Sequence, residues 1–213
     1  MLELLRQVPG AGTIYFIADQ NERPDTEGLP VSVARVAVGA WNRDLSPWPA
    51  PGLGRGGDFA GGADGFLRAM AENIPAFEKE RGLETGPRAV AGYSLAGLVA
   101  LYALTKTEVF QMAASCSGSL WFDGWAEYLE RAGFAAEPSY VYLSLGEREE
   151  RARDPRMAAV GGATRRTHAL LQHRGIKTDL VWHPGGHFHE PEKRIRAALE
   201  ALAGEMAQLT HRY

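Results

Sequence analysis

The sequence predicts an α/β domain: a mostly parallel central sheet flanked by helices on both faces. Three observations point there. Short runs rich in β-branched and aromatic residues alternate with longer stretches whose apolar residues recur at helical spacing. The connections are helical stretches of roughly 10–20 residues, too long for hairpins and right for crossovers between parallel strands. The chain has 213 residues, 45% of them hydrophobic and 23% charged, which suits one domain with a sizeable core spanning residues 1–213.

Taken in order, TIYFIA (Thr13–Ala18) and VSVARVAVGA (Val31–Ala40) read as strands bounded by turn signals. The 25 glycines gather partly in the segment Pro49–Gly65, a loop rather than a linker, because a boundary near residue 55 would leave an N-terminal piece too small for its own core. In Gly65–Gly82, Phe66, Met70, Ile74 and Phe77 fall at helical spacing. Pro75 is expected to kink that helix or start a fresh turn, and Gly82 to cap it. RAVAGY then reads as a strand, LAGLVALYALTKT as a helix, FQMAASCSGS as a strand leaving into a loop, and SYVYLSLG as a further strand. GATRRTHALLQHRG forms a helix ending at Gly175, KTDLVWHPGG the last strand, and EPEKRIRAALEALAGEMAQL an amphipathic closing helix.

Bulk properties exclude several classes. A net charge of −3 provides no field that would favour nucleic acid or an anionic membrane. No apolar run approaches the ~18 residues of a membrane span, and the start MLELLRQVPGAG lacks the layout of a signal peptide. The single cysteine, Cys116, allows no internal disulfide and leans toward a reducing, cytoplasmic setting.

Functional groups on parallel sheets lie just past the carboxyl ends of strands, and three residues meet that condition. Ser94 stands at the corner between RAVAGY and the next helix, with Gly92 two residues before it and Ala96 two after. Small residues there let strand and helix nearly touch, holding a serine in the strained turn of a nucleophile elbow, with the Leu95 amide aimed where an oxyanion would form. The pattern is usually G-x-S-x-G, so Ala96 is a departure by one methyl. The competing reading is an ordinary turn serine.

His187 follows the last strand, two residues past Gly185, and lies after Ser94 in the order Ser…acid…His that such an elbow demands. A near-neutral imidazole can take the serine proton and return it to a leaving group. His183 and His189 are rivals. His183, His187, His189 and Glu190 together also resemble a loop that could wrap zinc, but lack helical i, i+4 geometry; no metal and no cofactor is expected. The acid is sought after YVYLSLG, among Glu147, Glu149, Glu150 and Asp154. Glu149, three residues past Gly146, takes the usual loop position, Glu147 is second, and a solvated charged surface is the competing reading.

With these residues in hand, the chain resembles the putative-esterase family of α/β-hydrolases, a group that includes siderophore esterases, S-formylglutathione hydrolases and mycolyltransferases. WNRDLSPWPAP, GGADGFLRAMAENIPAFE, AGYSLAGLVALYAL, SCSGSLWFDGW and GGHFHEP carry the resemblance. It implies an α/β-hydrolase fold with little or no cap domain, Ser94 as nucleophile and His187 as base. It also implies Leu95 as one oxyanion donor and the backbone of Trp41 or Asn42 as the second. A Ser–His pair without an acid would also fit, as in some siderophore esterases of the family.

Trp41, Trp48, Trp121 and Trp125 fall in predicted loops, and Trp48 and Trp121 are expected to line a pocket for an apolar or aromatic acyl ester; pinning loops to the core is the equal alternative. Arg148, Arg151, Arg153 and Arg156 would suit an anionic ligand or a solvated face. The expected partner is a small-molecule ester. The leading reaction is hydrolysis through an acyl-enzyme, with acyl transfer and a non-catalytic binding scaffold as alternatives.

Overall fold

The structure is a computed structural model and describes residues 2–53, 57–83 and 86–210. Strands β1 (Leu2–Arg6), β2 (Thr13–Ala18) and β3 (Ser32–Ala37) come first. A single turn of helix, α1 (Trp41–Asp44), follows, with a small ribbon of β4 (Pro49–Ala50) and β5 (Phe59–Ala60). Then come α2 (Ala63–Arg81), β6 (Arg88–Tyr93), α3 (Leu95–Lys106), β7 (Met112–Cys116), α4 (Trp125–Arg131) and β8 (Tyr140–Gly146). A 3-10 turn at Glu149–Arg151 leads through α5 (Pro155–Ala158) and α6 (Val160–His173) to β9 (Thr178–His183) and α7 (Pro191–Thr210).

Seven strands form one sheet in the order β1-β3-β2-β6-β7-β8-β9. All neighbours run parallel except β1, which pairs antiparallel with β3. The sequence reading passed over β1; its side chains are only half-buried, so the edge strand carries a weak pattern. Every residue of β2, β7 and β8 is buried, as expected of strands covered on both faces. Alternate residues sort into two cores. Tyr15, Ile17, Val90 and Val141 pack with α2, α3 and α4. Ile14, Phe16, Ala89 and Met112 pack against Ile195, Leu199, Leu202 and Met206 of α7.

Two local expectations are corrected. α2 runs through Pro75 without a break: Ile74, Phe77 and Glu78 are buried on the sheet side while Pro75 faces solvent, where the carbonyl deprived of its partner can be hydrated. The Glu78 carboxylate accepts from the Tyr15 hydroxyl and from Nε and Nη2 of Arg88, tying α2 to β2 and β6. Trp125 opens α4 rather than a loop and is fully buried.

β6, β8 and β9 are parallel and close in sheet order, so their carboxyl ends open along one rim. Between β7 and β8 the chain carries α4, and between β8 and β9 only the 3-10 turn, α5 and α6. Among the described residues no separate cap folds over that rim, in line with the expected α/β-hydrolase architecture.

Candidate active site

The corner after β6 is built by close backbone contact. A methyl placed on Gly92 would lie 2.5 Å from the Ala96 carbonyl carbon, and one on Gly97 would lie 3.0 Å from the Gly92 carbonyl oxygen. With β6 and α3 this near, the residue between them is forced into an unusual conformation: Ser94 has φ 59° and ψ −123°. Main-chain bonds fix it there, from the Ser94 amide to the Cys116 carbonyl and from the Ser119 amide to the Ser94 carbonyl, each 3.0 Å. Ser94 occupies the N-cap position of α3, yet its hydroxyl makes no capping bond. That separates it from an ordinary helix-start serine, whose oxygen would bond an amide of the first turn. Ala96 is fully buried and its methyl is accommodated because Gly92 has no side chain.

The Ser94 hydroxyl instead meets His187, Oγ to Nε2 at 3.0 Å. The Nδ1 of the same ring lies 2.8 Å from Oε2 of Glu149. Three elements distant in sequence are thereby brought together, and of the four acids considered after β8, Glu149 is the one hydrogen-bonded to His187. The others are engaged elsewhere: Glu147 is exposed, Glu150 pairs with Arg165 at 2.7 Å, and Asp154 caps α5 by accepting from the amides of Arg156 and Met157. Of the histidines, His183 is still in β9 and His189 packs its ring over Gly185, whose φ of +86° turns the loop inward. His187 is hydrogen-bonded at both ring nitrogens, to Ser94 and Glu149, and among the described residues no group of three or more His, Cys, Asp or Glu side chains is placed to hold a metal ion.

Glu149 is 7% exposed. Burial alone would raise its pKa, but the hydrogen bond and charge of His187, the Gly146 amide and Ser117 outweigh that and hold it below the ordinary glutamate value. Its Oε1 accepts from the Gly146 amide at 2.8 Å and from Arg194 at 2.7 Å. Tyr93, the last residue of β6, donates its hydroxyl to the His187 carbonyl, and its ring centroid lies 5.3 Å from that of the imidazole at a tilt of 49°. The Arg148 amide bonds the Gly185 carbonyl at 3.0 Å, joining the loop that bears the acid to the loop that bears the histidine.

A cleft of about 210 Å³ opens over Ser94 and His187. Trp41, Asn42, Leu53, Phe59, Leu95, Ser119, Trp121, Met157 and Phe188 complete its lining. Leu95 is the first residue of α3, and Trp41 and Asn42 open α1, so their amides belong to the N–H groups that have no intrahelical acceptor. Trp121 lines the cleft. Trp48 does not: its ring packs with Tyr102, Phe122 and Tyr128, and its Nε1 donates to the Asp123 carbonyl at 2.8 Å. It pins the 45–50 loop to α3 and α4, because an aromatic nest was the larger apolar surface within its reach. Arg156 pairs with Asp123 and stands over the Trp121 ring, while Arg148, Arg151 and Arg153 point to solvent.

Sequence reasoning missed Phe59, Met157, Phe188 and Arg194. The arginine had a signal: Arg194, Ala198 and Leu202 form one stripe of α7, so a charge sits in the helix's apolar face.

An elbow serine on a parallel sheet, with a histidine and a carboxylate from later loops, defines the α/β-hydrolase class. Within it, residues 32–199 match the family model described as Putative esterase, and the chain belongs to that family. An uncharacterized Bacillus subtilis protein, YbbA, is 28% identical over 143 residues, covering 65% of this chain and 57% of that relative's length. Among solved structures, a siderophore hydrolase, EstA, from Aspergillus nidulans is similar with a TM-score of 0.69 at 20% identity, covering 92% of this chain and 84% of the other. An IroE-like serine hydrolase from Shewanella oneidensis is similar with a TM-score of 0.75 at 15% identity, covering 96% and 75%. At such identities these likenesses speak to the fold.

Two expectations follow from this geometry. Gly92→Ala drives a methyl into the Ala96 backbone and will lower stability by about 1–3 kcal/mol, read as a lower urea midpoint at unchanged slope. Glu149 binds its proton less readily folded than unfolded, so its contribution to stability is full above the unfolded pKa and is lost as pH falls through the lower, folded one. Glu149→Gln should therefore flatten the acid side of the stability–pH curve below about pH 4.5; an unaltered curve would show that this carboxylate carries none of it.

Proposed function

We propose that the protein is a serine esterase that cleaves carboxylic esters through an acyl-enzyme on Ser94. The observation that carries the reading is the hydrogen-bonded line from Ser94 Oγ through His187 to Glu149, at 3.0 and 2.8 Å. With Glu149 ionised, Nδ1 carries the ring proton and donates it, leaving the Nε2 lone pair to take the proton from the Ser94 hydroxyl. Oγ attacks the ester carbonyl carbon. The developing oxyanion is met by the Leu95 amide and by an amide at Trp41 or Asn42. The imidazolium then protonates the leaving alkoxide, and water repeats the sequence to release the acid.

The walls of the cleft support an uncharged apolar or aromatic acyl group. Trp41, Leu53, Phe59, Trp121, Met157 and Phe188 supply them, and among the described residues no aspartate, glutamate, lysine or arginine lines the site. Siderophore-like aromatic esters belong to the same proposal through the fold neighbours.

The test is a fluorophosphonate probe and a series of p-nitrophenyl esters. Wild type takes one covalent label, mapped to Ser94, and releases a burst of p-nitrophenol. Ser94→Ala takes none and loses activity by on the order of 10⁴- to 10⁶-fold. An intact mass unchanged by the probe would overturn the reading. Trp121→Ala should raise KM for butyryl and benzoyl esters by roughly tenfold, the effect of about 1–2 kcal/mol of lost apolar contact, with acetyl esters less affected; equal effects on all three would remove Trp121 from the acyl site.

A further inference from the structure

We propose that Arg194, a helix residue that never touches the cleft, is the positioning residue that sets the geometry and the working pH range of the Ser94–His187–Glu149 line. The inference rests on the serine-esterase reading of that site.

Arg194 lies one turn into α7 and is 1% exposed. A buried guanidinium is retained only where several acceptors meet it, and here they come from four separate segments. Nη1 donates to Glu149 Oε1 at 2.7 Å, to the Ser117 hydroxyl at 2.8 Å and to the Tyr93 hydroxyl at 3.3 Å. Nη2 donates to the Pro184 and Gly186 carbonyls at 3.1 and 2.8 Å. The same planar group thus grips the acid, the loop that carries His187, the end of β6 beside the nucleophile, and the turn after β7.

Room has been made for it. A methyl on Gly146 would lie 2.7 Å from Nη2, 2.9 Å from Nη1 and 2.5 Å from the Gly185 carbonyl oxygen, so the glycine that ends β8 leaves the passage through which the guanidinium reaches the acid. Ser117 is held at φ 44°, a left-handed conformation uncommon for a residue with a side chain, and its hydroxyl is one of the acceptors.

The division of labour at Glu149 follows. Oε1 is held by Arg194 and the Gly146 amide, and this leaves Oε2 aimed at His187. The fixed positive charge also favours the carboxylate over the acid and opposes a second positive charge on the imidazole. Other groups facing the pair are Tyr93 from β6, Ser94 from the elbow, and the half-buried His183 of β9, whose pKa is lowered by partial burial and by Arg194. His189 and Glu190 lie at the outer side of the same loop. Of all these, Arg194 is the group of permanent positive charge bonded to Glu149.

Arg194→Met and Arg194→Lys separate charge from geometry. Rates are taken with p-nitrophenyl butyrate and expressed per site titrated by a fluorophosphonate, so misfolded protein does not count. In Arg194→Met, kcat should fall by roughly 10- to 100-fold with KM changed less than about threefold. The acid limb of its kcat/KM profile should move to higher pH by about one unit, because proton uptake by the Glu149–His187 pair is no longer opposed. Arg194→Lys keeps the charge but cannot span both the carboxylate and the two loop carbonyls. Its limb should stay in place while kcat per site falls, and this variant decides if the methionine one does not fold. A labelled wild type beside variants with unaltered kcat per site and unmoved limbs overturns this inference alone. A wild type that takes no label overturns the serine reading and this inference with it.

Discussion

The near contact between the end of β6 and the start of α3 is the constraint on which the site depends. Gly92, Ala96 and Gly97 leave so little space that two backbones touch where most strand–helix junctions are filled by side chains. The residue at the crossing cannot relax, and Ser94 is held at a positive φ that an L-amino acid adopts only when its surroundings over-determine it. The strain has a use. It lifts the hydroxyl clear of the helix it would otherwise cap and leaves the first amides of α3 open beside it. Cys116 and Ser119, from the neighbouring strand and its loop, hold the corner by main-chain bonds, so the conformation is supported by the sheet as well as by local sequence.

The second half of the site is an electrostatic problem. Glu149 is a nearly buried carboxylate and Arg194 a nearly buried guanidinium, and neither charge would be tolerated alone. The Gly146 amide, the Ser117 hydroxyl and two loop carbonyls complete the bonding of the carboxylate and of both Nη atoms, and within this cluster, among the described residues, only the buried Nε of Arg194 is left without a partner. The imidazole is then suspended between an anion fixed in place and a hydroxyl fixed in place. Loops are ordinarily the mobile parts of a fold; here those following β8 and β9 are bonded to each other and to α7.

The unequal covering of the sheet shapes what is left open. One face is packed by α2, α3, α4 and α6, the other chiefly by α7, and among the described residues no separate cap lies over the ends of β8 and β9. The cleft is walled by aromatic and aliphatic residues from the 41–59 segment, the 119–121 turn, α5 and the histidine loop. Phe188 is 88% exposed at its mouth, an apolar ring in water next to the imidazole, 5.0 Å from centroid to centroid. Such a surface suits contact with an apolar ligand better than it suits solvent.

What the sequence by itself determined is what depends on near neighbours in the chain. Buried strands announce themselves as apolar β-branched runs, α2 and α7 by their spacing, and the elbow by Gly92, Ser94 and Ala96 within five residues. The meeting of Glu149 and His187 was legible as a place, because loops after parallel strands are where polar groups converge. The edge strand β1 was not, since a half-buried pattern of five residues is too short to stand out. Tertiary structure alone decided which tryptophans face the cleft: Trp48 and Trp121 look alike in sequence, but only packing with Tyr102, Phe122 and Tyr128 draws the first away. It also decided the place of Arg194, whose five acceptors come from residues 8 to 101 positions away and converge through the crossing of four segments. Period and propensity act over a few residues, whereas a buried charge is placed by whatever the fold brings within 3 Å of it.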